Sequence, residues 1–415
     1  MKPIIIRLIF FSILFSKSFT VFSKTIYAGK NQKIKSINQA ISIATAYDSI
    51  IITEGKYFEK NIIINKPLVL IGKNFPLLDG EKKYEIVSIK SNEVIFTGFK
   101  LQNSGKATMT DPAAIKVYNS KKVIISGNII LNSYFGIYIQ YGIDCKIKDN
   151  KIIAHGTDEQ QIGNAIHCWK SDSLIISGNY TKGHRDGIYF EFVTNSVIWR
   201  NISKKNVRYG LHFMFSHNDS YISNVFENNG AGVAVMFTNN VKMYNNFFIY
   251  NWGDAAYGIL LKEISDSYIV GNHFSSNTVG IYLEGVSRSV IEKNIFEKNG
   301  WALKIQASCM EANINFNNFI GNTFDVGTNG TLVMNNFNSN YWDKYEGYDL
   351  NRNGIGDVPY RPISLFSMII EKNQPALILF RSIMVTLLDK SEKLIPSLTP
   401  ENLKDEKPLT RKINL

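Results

Sequence analysis

Nine asparagines, Asn128, Asn150, Asn179, Asn201, Asn224, Asn246, Asn272, Asn294 and Asn317, recur at intervals of 22, 29, 22, 23, 22, 26, 22 and 23 residues. Most follow a short apolar run, such as Val123-Ile124-Ile125, Leu174-Ile175-Ile176, Val197-Ile198, Tyr268-Ile269-Val270 or Val290-Ile291. After each comes an apolar pair or triplet, then a glycine that opens a further run: Gly136-Ile137-Tyr138-Ile139, Gly187-Ile188-Tyr189-Phe190, Gly210-Leu211-His212-Phe213, Gly232-Val233-Ala234-Val235, Gly258-Ile259-Leu260-Leu261 and Gly280-Ile281-Tyr282-Leu283. A period near 22 with β-branched strands and Asn/Gly turns is the signature of stacked coils. Leucine-rich repeats share the period, but their leucine pattern is absent. The chain is therefore expected to be all-β, a right-handed parallel β-helix of about ten three-strand coils.

Asn and Gly accept left-handed backbone geometry and can bend the chain between strands without strain. Stacked asparagines can also hydrogen-bond along the coil axis. Within each Gly strand the first and third residues after the glycine should point inward, as in Ile188 and Phe190, Leu211 and Phe213, and Val233 and Val235. Each such side chain contributes roughly 1.5–3 kcal/mol on burial. The core explains most of the repeat, so function must lie on the outside. Apolar spacing from Ile34 to Ala46 suits a helix closing the N-terminal end. Less regular coils follow around Ile50-Ile52, Ile62-Ile64, Leu68-Leu70 and Val94-Phe96. The pattern stops near Phe337, helical spacing returns from Pro375 to Leu394, and the last twenty residues read as a mobile or partner-bound tail. The expected organisation is 1–23 signal peptide, 24–338 capped β-helix, 339–362 aromatic and Asp-Asn-Gly capping segment, and 363–415 helical C-terminal segment and tail.

With 415 residues, 45% of them apolar, the chain has ample material for a continuous core. The net charge of +11 is spread over scattered lysines. Runs such as Lys82-Lys83, Lys121-Lys122 and Lys204-Lys205 are too short for a nucleic-acid arm and read as solvated faces and guarded edges. Lys2 and Arg7 frame the apolar run Leu8 to Leu14, and Val21-Phe22-Ser23 offers a cleavage site. These residues read as a signal peptide that exports the chain, to a periplasm. Three cysteines, Cys145, Cys168 and Cys309, have no close spacing and give neither a disulfide framework nor a zinc motif.

Equivalent outward positions should stack at roughly 4.8 Å per coil. The second place after each glycine gives Tyr138, Tyr189, His212, Ala234, Leu260 and Tyr282, with His167 in an irregular coil. The fourth gives Gln140, Glu191, Met214, Met236, Lys262 and Glu284, with Trp169. Met214 and Met236 become direct neighbours, and His212 lies diagonal to Met236. Thioether plus imidazole is a soft ligand set suited to copper, above all Cu(I), and His217 in the next turn can join it. The competing reading is a Met-rich apolar binding surface. His184 and His155 read as solvated loop residues, and Cys168 as inert core. Two coils carry insertions, His155 to Gln161 and Asn251 to Tyr257, on one edge near Arg185 and Arg208. That edge, with Glu191, Trp252 and Asp254, is the candidate docking surface. Asp349, Asn351, Asn353 and Asp357 with Gly354 match the spacing of a calcium loop, although Tyr360 stands where a bidentate Glu belongs. A self-bonded Asx-turn scaffold is the alternative.

The rival function class is a pectin-lyase-like polysaccharide lyase, hydrolase or epimerase, because sugar-cleaving enzymes use this solenoid. It needs paired carboxylates, or a base with a cationic stabiliser, in one groove. Asp186, Glu191, Glu284, His184 and Arg185 supply the types, but Glu191 and Glu284 fall four coils apart. Asp111-Pro112 lacks the histidine of a related epimerase motif. No Gly-rich phosphate loop is present, so ATP dependence would need another subunit.

Four segments together resemble one family. They are Asp186 to Phe190, Arg208-Tyr209-Gly210-Leu211-His212-Phe213-Met214-Phe215-Ser216-His217, Asn229 to Met236, and Asn340-Tyr341-Trp342-Asp343 with Gly354 to Asp357. They are similar to NosD, the periplasmic β-helical maturation protein of nitrous oxide reductase, from about Ala28 to Pro408. The resemblance implies a non-enzymatic role in building the reductase's multicopper centre. It implies work beside an ABC-type ATPase and its membrane subunit, with copper or sulfur cargo exchanged through a copper chaperone and the helical C-terminus docked on the membrane subunit. The tail departs from the family at Thr410, where its members tend to show Met.

Overall fold

The computed structural model describes residues 23–106, 111–330, 334–394 and 403–415. The expected signal peptide falls almost wholly on residues 1–22 and so lies outside the described residues. Among those described, successive coils stack their strands into three parallel sheets, with fourteen, twelve and thirteen strands. The stack is longer than the asparagine count alone suggests. The less regular early segments Ser49–Ile52, Val69–Gly72 and Ile95–Thr97 are full members of the first sheet, although no ladder asparagine follows them.

The recurrent asparagines form a ladder through the interior. The Nδ2 of Asn128 donates to Oδ1 of Asn150, and the chain continues through Asn179, Asn201, Asn224, Asn246, Asn272, Asn294, Asn317 and Asn340, each step 3.0 Å. Each amide also donates to a buried backbone carbonyl, as Asn224 does to Ile198 (3.0 Å), so turn and strand are locked together. A second ladder runs through Asn206, Asn229, Asn251, Asn277, Asn299 and Asn322. Between the two stands a file of rings: Phe226, Phe248, Phe274, Phe296, Phe319 and Trp342, stacked at 5.4, 4.7, 4.9, 4.9 and 4.0 Å. Trp342 therefore continues the core, and the Asn340-Tyr341-Trp342 segment is the last rung of the helix rather than a new structure.

Both ends are closed. At the start, α1 (Ile37–Ile43), N-capped by Ser36, buries Ile37, Ala40 and Ile41. At the far end, α2 (Leu365–Lys372), a 3-10 turn (Gln374–Leu379) and α3 (Ile383–Leu394) form a strap. Phe366, Ile370 and Val385 of this strap pack on Val279, Trp301 and Phe324 of the second sheet. The α3 helix lies within the stretch of helical spacing from Pro375 to Leu394, and α2 lies ahead of it within the broader helical segment expected from 363. The described tail, 403–415, is bonded to the solenoid instead of being mobile: Leu403 and Asp405 are fully buried, and Ile413 exchanges two backbone–side-chain bonds with Asn318 (2.9 Å each). Asp405 supplies what the open ladder end lacks, an acceptor for Asn340. Among the described residues no helix is long and apolar enough to cross a membrane.

Candidate functional site

The Gly strands make up the second sheet, and its outward surface holds the candidate residues in two columns. In the first, Tyr138 pairs with His167, then Tyr189, His212, Ala234, Leu260 and Tyr282. In the second, Gln140 pairs with Trp169, then Glu191, Met214, Met236, Lys262 and Glu284. Met214 and Met236 are direct neighbours on adjacent rungs, both half-buried.

Alternation alone does not reveal that most of the first column is buried although it faces outward, with only Tyr189 and Tyr282 half-buried. His167 is 8% exposed and His212 6%. The rings tile one another, with centroids 4.4 Å apart from Tyr138 to His167, 4.8 Å on to Tyr189 and 4.9 Å on to His212. Phe135 and Tyr209 close the flanks. Ala234 interrupts this file of large side chains between His212 and Leu260. Beyond it, Tyr257 and Tyr282 begin the ground that α2 and α3 cover.

Beside the rings runs a polar network. Asn164, at the end of the first insertion, accepts from Arg185 Nε at Oδ1 (3.2 Å), which leaves its Nδ2 to donate to His167 Nδ1 (3.0 Å). Asp186 is wholly buried. Its carboxylate accepts from Arg208 Nε (3.0 Å) and Nη2 (2.8 Å) and from the Tyr209 backbone N–H (3.2 Å). His212 Nδ1 stands 3.2 Å from Arg208 Nη2 and 3.9 Å from Asp186 Oδ2. Burial alone would raise the Asp186 pKa, but the contacts of His212 and Arg208 outweigh it and hold the carboxyl below its usual range. Burial depresses all three histidines of this region. His167, with the Arg185 charge adding to the effect, falls to about 3, His184 to about 4, and His212 shifts in the same direction. The Nε2 atoms of His212 and His184 are buried with no hydrogen-bond partner among the described residues.

Several expectations change with this geometry. His184 is fully buried, its Nδ1 3.3 Å from the Gly163 carbonyl, so it is not a solvated loop residue; His155 is exposed as expected. Cys168 is fully buried. Arg185 and Arg208 stack as matching residues, the Arg208 N–H donating to the Arg185 carbonyl (2.8 Å), but both guanidinium groups turn to Asn164 and Asp186 rather than standing as free docking charges. Both insertions lie between a third-sheet and a second-sheet strand, which puts them on one edge, where Trp252 is 56% exposed. His217 is half-buried, and its Nδ1 accepts the Asn239 backbone N–H (3.1 Å). Glu191 and Glu284 are four rungs apart, and Glu284 pairs with Lys262 at 2.8 Å.

In the 349–357 loop the side-chain oxygens face the loop's own backbone. Asp349 accepts from the N–H groups of Asn353 (3.1 Å) and Gly354 (2.8 Å), Asn351 from Asn353 (3.1 Å), Asn353 from Ile355 (2.8 Å), and Asp357 from Leu350 (2.7 Å). This is the Asx-turn arrangement. Among the described residues no three His, Cys, Asp or Glu side chains gather as a metal cage. A soft thioether and imidazole pair is a different kind of site and does not require one.

Fold and face together define a right-handed parallel β-helix protein of the pectin-lyase-like class, with a soft-donor column on its outward second sheet. Residues 153–347, which contain both insertions and His212, Met214, His217 and Met236, match the family described as "Periplasmic copper-binding protein (NosD)". Over those residues the chain is similar to the NosD family. A relative from Pseudomonas aeruginosa, named "Probable ABC transporter binding protein NosD", is 27% identical over 370 residues, covering 85% of this chain and 86% of its own. Two solved structures share the fold. The surface adhesin PfbA of Streptococcus pneumoniae has a TM-score of 0.55 at 12% identity, covering 74% of this chain and 93% of its own. The mannuronan C-5 epimerase AlgE6 A-module of Azotobacter vinelandii has a TM-score of 0.51 at 11% identity, covering 73% and 89%. An adhesin and an epimerase on one scaffold mean that the fold itself does not decide function.

Proposed function

We propose that this protein is a periplasmic accessory factor for assembly of the multicopper centre of nitrous oxide reductase, and that it handles Cu(I) on the outward face of its second sheet. The observation that carries the reading is the Met214–Met236 pair on adjacent rungs. Beside it lies His212, whose buried Nε2 has no partner among the described residues. Two thioethers and an imidazole suit Cu(I), whose soft character favours sulfur and unsaturated nitrogen donors. His217 is the fourth candidate ligand. Copper here is cargo: the chain would hold it between a copper chaperone that delivers it and the reductase that receives it.

The insertion edge, where Trp252 and Asp254 are exposed, would meet a partner. On the strap, Leu377, Ile378, Ile383, Met384 and Leu387 are exposed and apolar, which suits contact with the membrane subunit of an ABC-type transporter. That transporter's ATPase would supply the energy, since this chain has no phosphate loop. The test is Cu(I) retention by the purified mature protein, measured by chelator competition. Met214→Leu with Met236→Leu should cut retention at least tenfold, and a wild type that binds no Cu(I) would reject the reading.

A further inference from the structure

We infer that Asp186 is the positioning carboxylate of this site, which sets the His212 tautomer so that Nε2 can take the metal. The inference rests on the Cu(I) reading above and goes beyond it by assigning a role to a residue outside the ligand set. Asp186 lies one rung from His212, opening the strand Asp186–Glu191 that pairs with Tyr209–Met214. Without metal, Arg208 Nη2 is the donor beside His212 Nδ1 at 3.2 Å, so Nδ1 accepts and the ring proton sits on Nε2. That Nε2–H is buried with no acceptor among the described residues. A buried donor left unpaired is costly, and its persistence in a packed face calls for an explanation.

Metal ligation supplies one. A histidine binds a metal through a nitrogen lone pair, so the proton must leave Nε2 and sit on Nδ1, where it needs an acceptor. Asp186 Oδ2 lies 3.9 Å from Nδ1, and the carboxylate is fixed in place by accepting from Arg208 Nη2 at Oδ2 and from Arg208 Nε and the Tyr209 N–H at Oδ1. A small rotation of the imidazole exchanges the Arg208 contact for an Nδ1–H···Oδ2 bond. The ring's proton count is unchanged; only the proton's place differs. A metal-bound histidine donating its other N–H to a carboxylate is a recurrent arrangement, and loss of such a partner typically costs 10–100-fold in metal affinity.

The experiment is a double-substitution cycle on the full mature protein, with Cu(I) alone as the probe and bathocuproine disulfonate as competitor. His212→Gln and Asp186→Asn should each weaken Cu(I) binding 10–100-fold, and the double variant should be no weaker than His212→Gln alone, since Asp186 acts only through the imidazole. Asp186→Asn leaves Arg208 unpaired, so the variant Asp186→Asn with Arg208→Gln removes the pair as a unit and should show the same loss. X-ray absorption of the wild type should show a nitrogen scatterer that both single variants lose. Absence of Cu(I) binding in the wild type would sink the copper reading itself. Binding that falls in His212→Gln but holds in both Asp186 variants, or losses that add in the double variant, would overturn the inference while leaving that reading standing.

Discussion

Asp405 sits over Asn340 in the place that an asparagine fills above each rung of the ladder below it. One carboxylate oxygen accepts from the Asn340 backbone N–H (2.9 Å), its Nδ2 (2.9 Å) and Trp342 Nε1 (3.1 Å), and the other from Ser339 N–H (3.0 Å). The tail thus ends the ladder without leaving buried donors open. Asp405→Ala would orphan several of them, each costing about 1–3 kcal/mol, and should destabilise the last coils by several kcal/mol. Asp405→Asn keeps an acceptor for Asn340 and should lose much less. Hydrogen exchange of residues 310–342 would check this: faster exchange confined to those coils in the alanine variant, and near wild-type protection in the asparagine variant.

Asp219 is another buried carboxylate, with no ion-pair partner among the described residues. Its Oδ1 accepts from the Ser196 N–H (2.7 Å), and Oδ2 has no partner among the described residues. Burial pushes its pKa up to about 8. In the unfolded chain the group ionises near pH 4, so between about 4 and 8 the folded state holds the extra proton, and stability falls as pH rises through that window. Asp219→Asn removes the penalty. Its melting temperature should exceed the wild type's at pH 8, by an amount corresponding to a few kcal/mol, and the difference should vanish near pH 3.5. Equal pH profiles for the two proteins would contradict it.

The histidines work in the opposite sense. His184 has its folded pKa lowered to about 4 by burial, against about 6.5 when unfolded. Between those values the unfolded chain binds more protons, so stability is full above about pH 6.5 and is lost as pH falls through about 4. The swing is on the order of 3 kcal/mol. His184→Leu should lose the contact to the Gly163 carbonyl and be slightly less stable at pH 7, yet show a shallower decline between pH 6.5 and 4. Urea unfolding at a series of pH values measures both.

Much of this was legible in the sequence, for physical reasons that also mark where legibility ends. A period-two strand in register fixes which side chains meet, so the pairing of Met214 with Met236 followed from Gly210 and Gly232 alone. The second asparagine ladder was equally visible, since Asn206, Asn229, Asn251, Asn277, Asn299 and Asn322 each stand five residues after a member of the first, yet only one ladder is needed to infer the fold. The early coils escaped the count because Ile and Leu at inward places, rather than Asn and Gly, carry them. Arg185 and Arg208 looked like edge charges because sequence gives position on a rung but not the direction in which a long side chain turns. Asp405 could not be placed at all: its partners lie some 65 residues earlier, and nothing local to Asp405 records an open ladder end.

The strap over the second sheet gives the last prediction. Lys304, in the same outward column as His212, pairs with Glu371 of α2 at 2.7 Å, with both side chains more than four-fifths buried and no further hydrogen bond to that carboxylate oxygen among the described residues. The Lys304 ammonium also lies 4.7 Å from the Trp301 ring centroid. Removing one member of such a pair leaves a buried charge uncompensated, which costs about 3–5 kcal/mol, whereas replacing both with apolar groups of similar volume is often neutral. Lys304→Met should therefore loosen α2 and raise hydrogen exchange across residues 365–394 while sparing the asparagine ladder. Adding Glu371→Met should restore much of that protection, because Phe366, Ile370 and Val385 still pack on Val279, Trp301 and Phe324. If the single variant leaves exchange in α2 unchanged, the pair does not hold the strap, and the apolar contacts alone seat it against the face that carries the donor column.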